Sequence, residues 1–158
     1  EATIVPEKRQ ELTTEGGLDV VSNIASVSAA IDALKSAGIH VSLFIDPESA
    51  QVKAAHELKA DAIEFQTASY SEAKGEAEIT RELEKLRSAA AQATSIGLHV
   101  HMGHGLNYWN VQPIVRIPGV EELNIGHSIV SRAVFVGLER AVREMKQVRQ
   151  EHYPNPRK

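Results

Sequence analysis

Five times along the chain a short apolar run is followed by a longer stretch with helical spacing. The runs are Ala2 to Val5, His40 to Ile45, Ala62 to Phe65, Leu98 to His101 and Glu122 to Ile125. Short runs of this kind suit strands, and apolar residues recurring every three or four positions suit helices. Asn23 to Ala37 carries Ile24, Val27, Ile31 and Leu34 on one stripe. Ser71 to Ser95 carries Ile79, Leu83, Leu86, Ala90 and Ala93, and Ser128 to Glu151 carries Val130, Val134, Leu138, Ala141, Met145 and Val148. A shorter helix is expected over Asn107 to Val115. Strands that alternate with helices are joined by crossovers, and crossovers give a parallel sheet. The expectation is therefore an α/β fold of five consecutive β–α units. A closed (β/α)8 barrel takes eight units and about 250 residues. Five units in 158 residues fit either an open sheet or part of a barrel.

Glycine and proline punctuate this pattern. Gly38 and Gly97 follow helical stretches, where a glycine ends a helix. Asp46 and Pro47 read as the cap and first position of a helix running to about Leu58. A long polar loop containing Gly16 and Gly17 follows the first run, in the place where lids are often built. No linker or repeat divides the chain. One domain is expected over residues 1–151, with a frayed tail over 152–158. The chain opens EATIVPEK, without Met and already inside a strand-like run, which reads as a start with material missing ahead of it.

The formal charge of −4 and the Glu residues interleaved with the basic ones give no reason to expect nucleic acid as a partner. There are no cysteines, which excludes disulfides and thiolate chemistry. No apolar stretch approaches the ~18 residues of a membrane span, and no signal-peptide pattern opens the chain.

Two of the strand-like runs end in a Gly–His step: LHVHMGHGL and LNIGHSIV. In α/β proteins the loop after a strand is where sites are built. Glycine allows close backbone approach, and histidine moves protons near neutral pH. His104 with Gly105 reads as a general acid or base beside a ligand-binding amide, or as a structurally bonded loop histidine. Gly126 and His127 open the last helix, and amides there favour an anion. His99, His101 and His104 form HxHxxH, which leaves open a metal-dependent hydrolase. Glu64, inside the apolar run AIEF, is costly to bury unless paired or functional. The pattern points to a phosphorylated small molecule and acid/base chemistry.

The stretches VPEKRQELTTEGGLDV, VSLFIDP, IEFQTASY, GHGLNY with the following NV, and EELNIGHSIVSRAVFVGLERAV resemble the pyridoxine 5′-phosphate synthase, or PdxJ, family over essentially the whole chain. The resemblance implies a (β/α)8 TIM-barrel fold, of which this chain covers strands 4–8. It implies a cytoplasmic, homo-oligomeric (octameric) enzyme of bacterial vitamin B6 synthesis that uses no metal or organic cofactor. The family condenses 1-deoxy-D-xylulose 5-phosphate with 3-amino-2-oxopropyl phosphate. Carried over residue by residue, His104 is the proton donor and Glu64 the carboxylate that stabilises the transition state. Gly105, Gly126 and His127 bind the aminoketone phosphate, and Thr13 contacts the deoxyxylulose phosphate. Two departures stand out. HMGHGL replaces the usual NAGHGL, placing the bulkier Met102 near the acid. The three leading units of the family, with a VNIDH motif and a further catalytic His and Glu, are not in this sequence.

Overall fold

The computed structural model describes residues 1–6 and 16–153. Its five strands are β1 (Ala2–Ile4), β2 (Val41–Ile45), β3 (Ala62–Gln66), β4 (His99–Gly103) and β5 (Val120–Asn124). They form one sheet in sequential order, with each neighbouring pair parallel. The connections hold α1 (Ile24–Ser36), α2 (Ser49–Glu57), α3 (Ala68–Glu72), α4 (Glu76–Ser95) and α5 (Val111–Val115). After β5 come α6 (His127–Val136) and α7 (Leu138–His152). The alternating pattern of runs and stretches thus yields the expected parallel sheet.

Alternation sends the two faces of each strand to different surroundings. Val41, Leu43, Ile45, Ile63, Phe65, Val100 and Met102 share a core with Val27, Ile31, Val52, Ala55, Leu86, Ala90, Ala93 and Ile114 of the helices. Burial of each large side chain contributes about 1.5–3 kcal/mol. Met102 is fully buried in this layer, so its bulk is absorbed on the helix side of the sheet. β2 and β3 are buried at every position, as parallel strands covered on both faces are.

The opposite face carries Phe44, Glu64, His101 and Glu122, which are register partners across four adjacent strands. Oxygens of Glu1, just ahead of β1, and of Glu122, on β5, lie with a His101 nitrogen within 4.8 Å of one another. The first and last strands therefore approach each other over this face. The sheet is curled, and this face is its inside. A register shift between Val100 and His101 leaves Glu121 as an extra residue of β5, and its carboxylate pairs with His99 Nδ1 at 2.9 Å.

Several helix boundaries depart from the sequence expectation. α2 starts at Ser49 behind an extended Glu48, and no side chain caps it. Asp46 instead accepts a hydrogen bond from the Gly17 N–H (3.1 Å), fastening the first loop to the end of β2. Gly17 packs so closely there that a Cβ would lie 2.2 Å from Asp46 N. The stretch from Ser71 to Ser95 divides into α3 and α4 at Gly75 (φ +86°), and the last stretch divides at Gly137 (φ +83°). The second break takes the apolar stripe off the core. Val130, Val134 and Leu138 are exposed, whereas Ala141 and Met145, beyond it, are buried. Ile24 and Ile79 also face solvent, while Val27, Ile31, Leu86, Ala90 and Ala93 are buried as expected. α7 runs to His152, and the rest of the expected tail, 154–158, lies outside the described residues.

Candidate active site

The loop after β4 is held in a conformation side chains rarely adopt. His104 has φ +75° and Gly105 φ +78°. Such a conformation costs roughly 1–3 kcal/mol for a non-glycine residue and persists only when its surroundings impose it. Thr67, 1 % exposed, does so. Its N–H donates to Gly103 O (2.9 Å), and its hydroxyl proton is shared between Gly103 O (2.8 Å) and His104 O (2.5 Å). Asn110 Nδ2 donates to Gly105 O at 3.1 Å. Gly105 is required here, because a Cβ would meet Ser71 at 2.7 Å. The half-buried His104 ring lies 6.4 Å from the Phe44 ring, tilted by 60°.

The second Gly–His step is open. Gly126 is the N-cap of α6, no side chain caps the helix, and a Cβ on Gly126 would meet nothing within 4 Å. The first amides of a helix have no partner within it and carry the positive end of its dipole. Ser128 Oγ donates to Leu106 O at 2.8 Å, tying this helix start to the loop after β4.

Glu64, on β3, reaches with its side chain to Gly103 of β4 and Asn124 of β5 and is 7 % exposed. Its Oε2 accepts a hydrogen bond from Asn124 Nδ2 at 2.7 Å. Its Oε1 occupies the space above Gly103, where a Cβ would come within 2.2 Å. Burial pushes its pKa above the ordinary 4.5, against the Asn124 hydrogen bond and the nearby His101, with Glu122 and Glu1 adding to the rise. The carboxyl therefore holds its proton to higher pH than a solvated glutamate does, which suits proton exchange with a ligand.

Glu64, His104, Gly105, Gly126 and His127 all line one cavity of about 520 Å³, together with Thr3, Phe44, Asn124 and Ser128. That volume suits a small-molecule ligand. Every residue expected of the acid/base and phosphate site that the structure describes is in this wall; Thr13 lies outside the described residues. The HxHxxH trio does not converge. His99 is exposed and engaged with Glu121, His101 is buried, and His104 faces the cavity. Among the described residues, the cluster of His and carboxylate groups close enough to share an ion is Glu1, His101 and Glu122. The sequence does not single out Thr67 and Asn124, although Thr67 holds the backbone at His104 and Asn124 holds the Glu64 carboxylate.

Residues 1–151 match the family model described as "Pyridoxal phosphate biosynthesis protein PdxJ". The chain is 55% identical over 146 residues to pyridoxine 5′-phosphate synthase of Acaryochloris marina, covering 92% of this chain and 61% of that protein. It is 57% identical over 145 residues to the Nostoc punctiforme protein of the same name, covering 92% and 60%. The chain thus spans about 60% of the length of these curated relatives. Among solved structures, the YdjI aldolase of Escherichia coli K12 superimposes with a TM-score of 0.51 at 15% identity, over 85% of this chain and 54% of that one, a likeness of fold alone. With its matched residues running from the first strand through the last helix, the chain belongs to the PdxJ family.

Proposed function

We propose that these residues form strands 4–8 of a (β/α)8 barrel and supply the proton donor and phosphate cradle of a pyridoxine 5′-phosphate synthase. The reaction condenses 1-deoxy-D-xylulose 5-phosphate with 3-amino-2-oxopropyl phosphate and closes the pyridine ring, releasing phosphate and water. His104 donates a proton, and the Glu64 carboxyl, held by Asn124, stabilises charge as the ring closes. The amides of Gly105, Gly126 and His127 hold the aminoketone phosphate, and Thr13 contacts the other phosphate. This chemistry uses no cofactor. A cytoplasmic homo-oligomer belongs to the same reading.

One observation carries it: a buried carboxyl, a positioned imidazole and two amide-bearing loops converge in one cavity. On this reading the phosphate cradle comes from these residues, and two further acid/base groups come from the units that precede the ATIVP strand in the family. Removing partners from a concerted site abolishes most of its turnover. A phosphosugar-binding half-barrel without turnover is therefore the second reading for the 158 residues alone.

The test is an assay of pyridoxine 5′-phosphate formation from the two phosphorylated substrates, run on the full-length protein and on the 158-residue chain. Ring product from the full-length protein and little from the chain is the expected result. No ring product from the full-length protein would overturn the reading.

A further inference from the structure

On the strand beside Glu64 a buried imidazole faces two carboxylates, and one of its nitrogens is left over. His101 is 5 % exposed, and its Nδ1 has no hydrogen-bond partner. Glu1 Oε1 lies 3.4 Å away without hydrogen-bond geometry. An orphaned polar atom in a folded interior calls for an explanation. We propose that Glu1, His101 and Glu122 bind one first-row divalent cation of the Zn²⁺, Fe²⁺ or Mn²⁺ kind.

One donor atom from each residue lies within 4.8 Å of the other two. Metal–ligand bonds of roughly 2.0–2.2 Å require the three atoms to draw somewhat closer. Glu1 and Glu122 are exposed and free to make that adjustment, while His101 is fixed in β4. Two carboxylates and a neutral imidazole match a dication in charge. One nitrogen with two carboxylates favours these metals over the all-oxygen sites of Ca²⁺ and Mg²⁺, and the absence of thiolate disfavours Cu⁺. Three protein ligands leave one position for water.

The placement gives the ion a task. Glu1 precedes β1 and Glu122 lies on β5, so the ion joins the first strand of the curled sheet to the last. Glu64 is the register partner of His101 and is not a member of the cluster, and none of the three ligands lines its cavity, so the ion sits beside that carboxylate and outside the cavity.

The test strips the purified protein with a chelator and titrates it with Co²⁺ as an optical probe, then with Zn²⁺, in buffer free of phosphate. One equivalent should be bound at micromolar metal, with cobalt absorption that zinc displaces and an unfolding midpoint raised by roughly 5–10 °C at saturation. His101→Asn and Glu122→Gln should each weaken binding by at least about tenfold. His99→Asn should leave it unchanged, since that ring is engaged with Glu121 outside the cluster. Failure of the parent protein to take up stoichiometric metal, or uptake that survives both substitutions, overturns the proposal. Circular dichroism checks folding, and should His101→Asn not fold, the exposed Glu122→Gln decides alone.

Discussion

The two Gly–His loops share a sequence signature and a cavity, but they are built in opposite ways. The loop of His104 is locked: two consecutive residues at positive φ are held by a buried threonine at two carbonyls, with a glycine that admits no side chain. The loop of His127 is loose: its glycine has open space, its histidine is exposed, and its helix has no side-chain cap. Proton transfer needs an atom placed to within a fraction of an ångström. An anion at a helix start needs free amides and tolerates variation in position. On the proposed function, the same two residue types would serve as a fixed acid in one loop and an adaptable cradle in the other.

The contrast is broken most directly at His104. If the proposed reaction holds, His104→Asn in the protein that carries it out should lower kcat by ~10²–10⁴ while changing KM little. Steady-state kinetics showing a raised KM with kcat intact would make both loops binding elements. The next largest effect tests the lock. Thr67→Val keeps the shape but removes the hydroxyl from two carbonyls, and should cost about 1–3 kcal/mol in chemical denaturation together with a loss of kcat. Ser128→Ala, in the loose loop, removes one hydrogen bond and should cost only about 0.5–1.5 kcal/mol.

Glu64 sharpens the comparison through pH. Its folded pKa is raised above the ordinary 4.5 by burial, so the folded state binds its proton more tightly than the unfolded chain. Its contribution is fully present below pH 4.5 and is lost as pH rises toward the folded value. Glu64→Gln removes that dependence while keeping an acceptor for Asn124. Denaturation curves for Glu64→Gln and the parent should match in acid, with the variant the more stable near neutrality. The smallest effect belongs to the loose loop: His127→Ala should weaken phosphate binding by less than about fivefold, since the amides remain.

What the sequence disclosed follows from locality. The continuous apolar runs of β2 and β3 are a direct imprint of burial on both faces, and the two Gly–His steps are local in the chain. Helix breaks were hidden because spacing continues through Gly75 and Gly137 while the backbone turns there. Exposure of Val134 and Phe135 (79% and 85%) depends on what packs against α6, and spacing along a helix does not report that. The supports of the site were hidden for a related reason. Thr67 acts on residues 36 and 37 positions away, and Asn124 on one 60 away, so their roles come from strand register. Asp46 looked like a cap because Asp–Pro is a local signal, but the approach of Gly17 recruits its carboxylate.

The central claim is that the two loops act on one ligand. A titration with inorganic phosphate, followed through the backbone amide resonances, tests it directly. The amides of Gly105, Gly126 and His127 should shift together along one saturating curve at millimolar phosphate, and should do so equally in His104→Asn. Shifts confined to one loop, or none at all, would contradict the account.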